Sequence, residues 1–256
     1  MRKSKTLKKI RNNQIVRMCG LGHFIPAFVR HAASNGYDCI WLDLEHRAMD
    51  YREIQSLLAF CHLYDIDCML RPPTTEMSRL YRFLEDGATG LMIPFVNTAE
   101  RAKELVRAVK FPPLGERGID AAGLDADFSL ADPEIYTRHA NQETFLVAQI
   151  ETPEAVENVE EIAAVPGIDI VFVGPADLSL RITVDEETDL TLESAYESVN
   201  AACQKHGKDW GRPTGSEEML REMREFGATI MVRGGEFGGW MNELETASKE
   251  LDGIDN

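Results

Sequence analysis

Residues 145–179 read FLVAQIETPEAVENVEEIAAVPGIDIVFVGPADLS. An apolar run, Phe145–Glu151, leads into helix-like sequence from Pro153 to Val165, and a second apolar run follows at Ile168–Val173. Strand, helix and strand in that order make a parallel βαβ unit, whose strands lie side by side or nearly so and open their carboxyl ends on one face. An acidic residue stands just past each strand: Glu151 after the first, Asp177 after the second. Taken singly, Glu151 reads as a helix cap and Asp177 as part of a Gly-Pro turn. At matching places after consecutive strands, the pair favours a site for a hard divalent cation such as Mg2+ or Mn2+. Strand alternation puts Val147, Gln149 and Glu151 on one face, so Gln149 is a second polar group near that site, placed to donate to a substrate oxygen or to orient a ligand. The turn Gly174-Pro175-Ala176-Asp177 enters a helix, and its backbone N–H groups suit a carboxylate or phosphate.

The same alternation extends in both directions. Further short apolar runs fall at 15–21, 39–43, 67–71, 90–94, 208–211 and 229–233, with helix-like sequence at 26–35, 51–64, 76–86, 98–109, 192–206 and 217–226. Gly36, Gly87, Gly167, Gly207 and Gly227 each stand between a helix and the next strand, where a left-handed C-terminal glycine belongs. Eight β/α units in a chain of 256 residues predict an α/β fold, a single (β/α)8 TIM barrel over 1–256. Walker A and Rossmann glycine patterns are absent, which disfavours a nucleotide-binding open sheet. The one long connection, 111–144, is expected as a functional loop at the carboxyl end of strand four.

Composition is that of an ordinary globular chain, 44% hydrophobic and 27% charged. A net charge of −16 argues against nucleic acid or an anionic membrane as partner. Arg2, Lys3, Lys5, Lys8, Lys9 and Arg11 make the start basic. No apolar signal core follows, so residues 1–13 read as a short helix before the barrel that covers its lower end. No apolar run is long enough to span a bilayer, and five cysteines without CxxC spacing fit the reducing cytoplasm.

Barrel chemistry sits at strand carboxyl ends. The second strand leaves through Asp43-Leu44-Glu45-His46, and an Asp three residues before a His can accept the imidazole N–H, fix the tautomer and leave the other nitrogen as general base. The third strand ends in Arg71, a cation that needs an anion or oxyanion nearby, or a structural partner such as Asp43 or Glu45. His23 lies at the first strand exit. Arg233-Gly234-Gly235-Glu236 follows the eighth strand, a common anion site in barrels. No lysine stands at a strand exit, and Lys208 opens strand seven at the opposite face, so Schiff-base chemistry gives way to metal-assisted chemistry.

YDCIWLDLEH (37–46), LRPP (70–73), EDGATGLMIPFVNTAERAKELVRAVKFPPLGERG (85–118) and QIETPEAVENVEEIAAVPGIDIVFVGPADLS (149–179) resemble the HpcH/HpaI class II pyruvate aldolases. That family includes the 2-dehydro-3-deoxyglucarate, 2-keto-3-deoxyrhamnonate and 4-hydroxy-2-oxoheptanedioate aldolases. The resemblance implies Glu151 and Asp177 as ligands of Mg2+ or Mn2+, with Co2+ also acceptable, and His46 as catalytic base supported by Asp43. It further implies Arg71 as the residue that stabilises a pyruvate enolate, and a substrate-binding role for Gln149 and for the Gly174-Pro175-Ala176 turn. The implied reaction is reversible cleavage of a 4-hydroxy-2-oxo acid to pyruvate and an aldehyde, by a homo-oligomer (hexamer or trimer) that often exchanges its last helix between neighbours. Oxaloacetate decarboxylation, CoA-ester lysis and a non-catalytic keto-acid-binding barrel are the rival readings. The segments at 47–49, 119–130, 181–189 and 233–240 depart from the family pattern and bear on which aldehyde is accepted.

Overall fold

The computed structural model describes residues 2–185 and 187–254, so Glu186 of the acidic 181–189 segment lies outside the described residues. Eight parallel strands close into a barrel in sequence order: β1 (Val16–Leu21), β2 (Cys39–Asp43), β3 (Asp67–Arg71), β4 (Gly90–Ile93), β5 (Phe145–Ile150), β6 (Ile170–Val173), β7 (Asp209–Pro213) and β8 (Ile230–Gly235). The helices are α1 (Lys5–Arg11), α2 (Pro26–Ser34), α3 (Tyr51–Leu63), α4 (Met77–Glu85), α5 (Ala99–Val109), α6 (Pro133–Glu143), α7 (Pro153–Glu157) and α8 (Val159–Ala163). They continue as α9 (Pro175–Val184), α10 (Leu192–His206), α11 (Glu217–Glu225) and α12 (Glu236–Asp252).

Alternate residues of each strand point inward. Met18, Cys39, Met69, Met92, Val147, Phe172 and Val232 fill the barrel, whereas Leu42, Leu70, Leu91, Ala148 and Val171 meet the helices outside. The barrel interior is therefore apolar through its middle, with polar groups at its carboxyl mouth and at its floor. Its floor is closed by α1, as the basic start predicted: Leu7 joins the interior cluster. The wholly buried Asp67 anchors that plug, accepting from Ser4 Oγ (2.7 Å), the Thr6 amide (2.8 Å) and the Arg2 guanidinium.

Two expectations are corrected. Segment 111–144 does not lie at the carboxyl end of β4, because α5 intervenes and carries the chain back to the amino-terminal face. Nor is it an open loop. Asp132 caps α6, and Arg117, Asp125 and Tyr136 bond one another at 2.8–3.0 Å beside Phe111, a small core of its own. The helix expected over Pro153–Val165 is broken into α7 and α8 at Asn158, whose side chain reaches across to the Asn97 carbonyl at 2.9 Å.

Candidate active site

At the mouth, strand register decides who meets whom. Asp43 and Arg71 are direct partners across β2 and β3, as are Gln149 and Phe172 across β5 and β6. Arg71 is buried and triply engaged: Nε donates to Asp43 Oδ1 at 3.0 Å, Nη2 lies 2.9 Å from Asp43 Oδ2, and Nη1 lies 2.9 Å from Glu45 Oε2. Its guanidinium also stacks 4.9 Å from the Trp41 ring. The structural ion pair weighed for Arg71 is therefore present, and its three contacts with Asp43 and Glu45 occupy fewer groups than its five N–H donors offer. Burial alone would raise the Asp43 pKa. The Arg71 guanidinium and the amides of Glu45 and His46 outweigh burial and hold it below the usual carboxylate range.

These contacts displace one expectation. Asp43 does not accept the His46 imidazole N–H. Its Oδ1 is taken by Arg71 and by the backbone amides of Glu45 (3.0 Å) and His46 (3.5 Å). The half-exposed His46 ring instead faces Glu45, with Nε2 3.7 Å from Oε2. Glu45 thus joins the site, bridging His46 and Arg71. The sequence offered Glu45 as a structural partner for Arg71, which the structure shows, but not its approach to His46.

Glu151, only 2% exposed, is held from two sides: Gln149 Nε2 donates to Oε1 at 2.6 Å, and the Phe95 amide donates to Oε2 at 3.2 Å. Burial pushes its pKa up to about 7. The Phe95 amide opposes that rise, and the neighbouring Asp177 and Glu45 add to it. Gln149 Oε1 is buried and has no partner among the described residues, so the amide offers an unmet acceptor inside the mouth. Phe95 supplies its amide from a left-handed backbone (φ 53°), uncommon for an aromatic residue and typical of strained functional sites.

Asp177 lies in the first turn of α9, and Arg181 one turn on reaches its Oδ1 at 3.1 Å. Of the anticipated anion turn, the Gly174 amide is spent on the Ile150 carbonyl (3.0 Å) and Pro175 has no N–H, so the amides of Ala176 and Asp177 are the ones left. Gly174 instead makes room for Glu151: a Cβ there would sit 2.3 Å from Glu151 Oε1, so a larger residue would require this carboxylate to move.

Beside this cluster, a groove lined by Gly22, Trp41, Asp43, Arg47, Glu236 and Phe237 opens between β1, β2 and β8. The anticipated anion site after β8 is filled by the protein's own carboxylate. Buried Glu236 stands at the N-terminus of α12 and bonds the Gly22 amide (2.7 Å) and His23 Nδ1 (2.8 Å). Arg233 is exposed.

Oxygen donors converging on a mouth short of positive charge fit a hard cation. Glu151 and Asp177 are the residues that would hold it. Among the described residues, no group of three or more His, Cys, Asp or Glu could hold a metal ion, and a cation held by two protein carboxylates would keep its other positions for water and substrate.

Residues 18–237, from β1 to the start of α12, match the family described as HpcH/HpaI aldolase/citrate lyase. A hydroxypyruvate/pyruvate aldolase of Deinococcus radiodurans is 34% identical over 84% of this chain and 77% of its own length. A 2-dehydro-3,6-dideoxy-6-sulfogluconate aldolase of Pseudomonas putida is 38% identical over 84% and 85%. The crystal structure of an HpcH/HpaI aldolase from Desulfitobacterium hafniense superposes with a TM-score of 0.88 at 32% identity, covering 95% of both chains. The chain belongs to the HpcH/HpaI aldolase/citrate lyase family.

Proposed function

We propose that the protein is a class II pyruvate aldolase, reversibly cleaving a 4-hydroxy-2-oxo acid to pyruvate and an aldehyde with the help of Mg2+ or Mn2+ (Co2+ being an acceptable substitute). The observation that carries this reading is the mouth itself. Glu151 is buried among acids, Asp177 stands beside it, the Gln149 amide oxygen is unmet, and Arg71 has more N–H donors than its contacts with Asp43 and Glu45 occupy. Glu151 and Asp177 would hold the cation, which when bound would supply Lewis-acid polarisation to the substrate.

Everything else falls to side chains. Gln149 fixes Glu151 through its Nε2 and turns its Oε1 to the substrate. Asp43 and Glu45 hold the Arg71 guanidinium rigid, so its remaining N–H groups stabilise the negative charge that gathers on the keto oxygen as C3–C4 breaks. His46, directly or through water, takes the C4 hydroxyl proton. The C4 oxygen becomes the aldehyde carbonyl, the C3–C4 electron pair passes to the pyruvate half, and proton return at C3 completes pyruvate.

The protein acts as a homo-oligomer in the cytoplasm. Along α12, Phe237, Trp240, Met241, Leu244 and Leu251 are exposed, and Glu236 is the buried residue of that helix. An apolar groove with Ile15, Leu220 and Met231 in its lining runs beside α11. That groove would take the last helix of a second copy in a trimer or hexamer that exchanges it. The five cysteines are free and buried, as a reducing compartment requires. No helix among the described residues is long and apolar enough to cross a membrane.

The test is pyruvate release from a panel of 4-hydroxy-2-oxo acids, coupled to lactate dehydrogenase, with chelator and after return of Mg2+ or Mn2+. Cleavage that disappears with chelator and returns with metal supports the proposal. Pyruvate from oxaloacetate alone would make the enzyme a decarboxylase. Pyruvate from none would favour the binding-protein reading.

A further inference from the structure

Arg181 was not singled out by the sequence, and the cleavage chemistry does not use it. Its Nη1 donates to Asp177 Oδ1 at 3.1 Å and to the Asp177 carbonyl at 3.2 Å. Taken alone, this is an i,i+4 pair on a half-exposed helix face, the kind that contributes little. Two further contacts set it apart. The guanidinium lies 4.9 Å from the centroid of the Phe95 ring, and the amide of that same Phe95, on its left-handed backbone, holds Glu151 Oε2. One side chain therefore touches one carboxylate of the mouth and the residue that positions the other.

We propose that Arg181 is a positioning residue that braces Asp177 and Phe95 while holding the divalent-metal affinity down. The inference rests on Glu151 and Asp177 being the metal ligands. Two effects of opposite sign follow from removing its charge. Without Arg181 the Asp177 side chain regains rotamer freedom, which weakens metal binding by about two- to threefold. A unit positive charge one carboxylate away from a divalent cation, partly screened at a half-exposed position, opposes binding by about tenfold or more. Repulsion exceeds the ordering benefit, so neutralising Arg181 tightens metal binding. A purely structural strut predicts the reverse.

The experiment is a calorimetric or electron-spin titration of chelator-treated protein with Mn2+ alone, comparing wild type with Arg181→Gln and Arg181→Lys. Circular dichroism melts establish that each variant is folded. Arg181→Gln should bind Mn2+ several-fold to tenfold more tightly, Arg181→Lys should stay within about threefold of wild type, and added salt should narrow the gap to the Gln variant. Equal or weaker binding by Arg181→Gln overturns the inference while leaving the metal site standing, and so does an equal gain in Arg181→Lys. Folded wild type that takes up no Mn2+ overturns the ligand assignment itself, and the role of Arg181 with it.

Discussion

Glu151 concentrates the conflict in this molecule. Its pKa lies at about 7 because burial and two neighbouring acids penalise its charge. The protonated form is therefore favoured in the folded state, and the sign of the pH dependence follows. The contribution is full below the unfolded value near 4.5 and is lost as pH rises through about 7. A shift of this size amounts to roughly 3 kcal/mol at alkaline pH. In metal-free protein, Glu151→Gln should accordingly stabilise the fold by up to about that amount at pH 8 and change little at pH 4. Urea denaturation of both proteins at the two pH values checks it, and a gain over wild type no larger at pH 8 than at pH 4 contradicts it. The same proton competes with metal, so Mn2+ affinity of the wild type should fall about tenfold per pH unit below pH 7. Gly174→Ala tests the neighbouring constraint. A methyl 2.3 Å from Glu151 Oε1 must displace that carboxylate, so Mn2+ binding should drop at least about tenfold with a loss of about 1–3 kcal/mol in stability. Unchanged Mn2+ affinity would show that Glu151 is not a ligand.

Among the elements, α1 is the one whose removal the barrel should feel most. Leu7 closes the interior from below, and Asp67 draws Arg2, Ser4 and the Thr6 amide onto the floor. Asp67→Asn leaves the Arg2 cation without its buried partner and should cost about 2–4 kcal/mol in urea denaturation, with metal affinity at the far end unaltered. A loss below about 0.5 kcal/mol would mean that the plug is incidental. The strands were legible because each is a short apolar run set off by a turn, with Gly36, Gly87, Gly167, Gly207 and Gly227 all adopting the positive φ expected of them. What escaped was local. Helix α6 announces its start with Asp132-Pro133, but its apolar residues are sparse and Ile135 is exposed, so the pattern reads as loop. The break at Asn158 depends on a carbonyl 61 residues away, which no local pattern reveals.

For the molecule as a whole, the mouth was legible as a set of strand-end residues but not as a wiring diagram. Asp43, Arg71, Gln149 and Glu151 come together because period-two alternation and barrel closure leave inward-facing strand ends no other place to go. Which partner Asp43 chooses is a tertiary matter: Arg71 and two backbone amides take its oxygens, and His46 turns to Glu45. The shape of the molecule also makes a prediction. With Trp240, Leu244 and Leu251 left in solvent, α12 reads as an element awaiting a second copy. Light scattering should give a multiple of the 28.7 kDa chain mass, and Trp240→Glu with Leu244→Glu should shift it to the monomer. A wild-type monomer at micromolar concentration would contradict it.

The most direct test of a metal-dependent pyruvate enolate leaves the unknown aldehyde aside. Exchange of the pyruvate C3 hydrogens with D2O, followed by proton NMR, reports the pyruvate half of the reaction alone. Wild type should catalyse exchange that stops with chelator, resumes on adding Mn2+, and is lost by at least about a hundredfold in Glu151→Gln. Exchange that persists through chelation, or at wild-type rate in Glu151→Gln, would contradict a metal centre at Glu151 and Asp177.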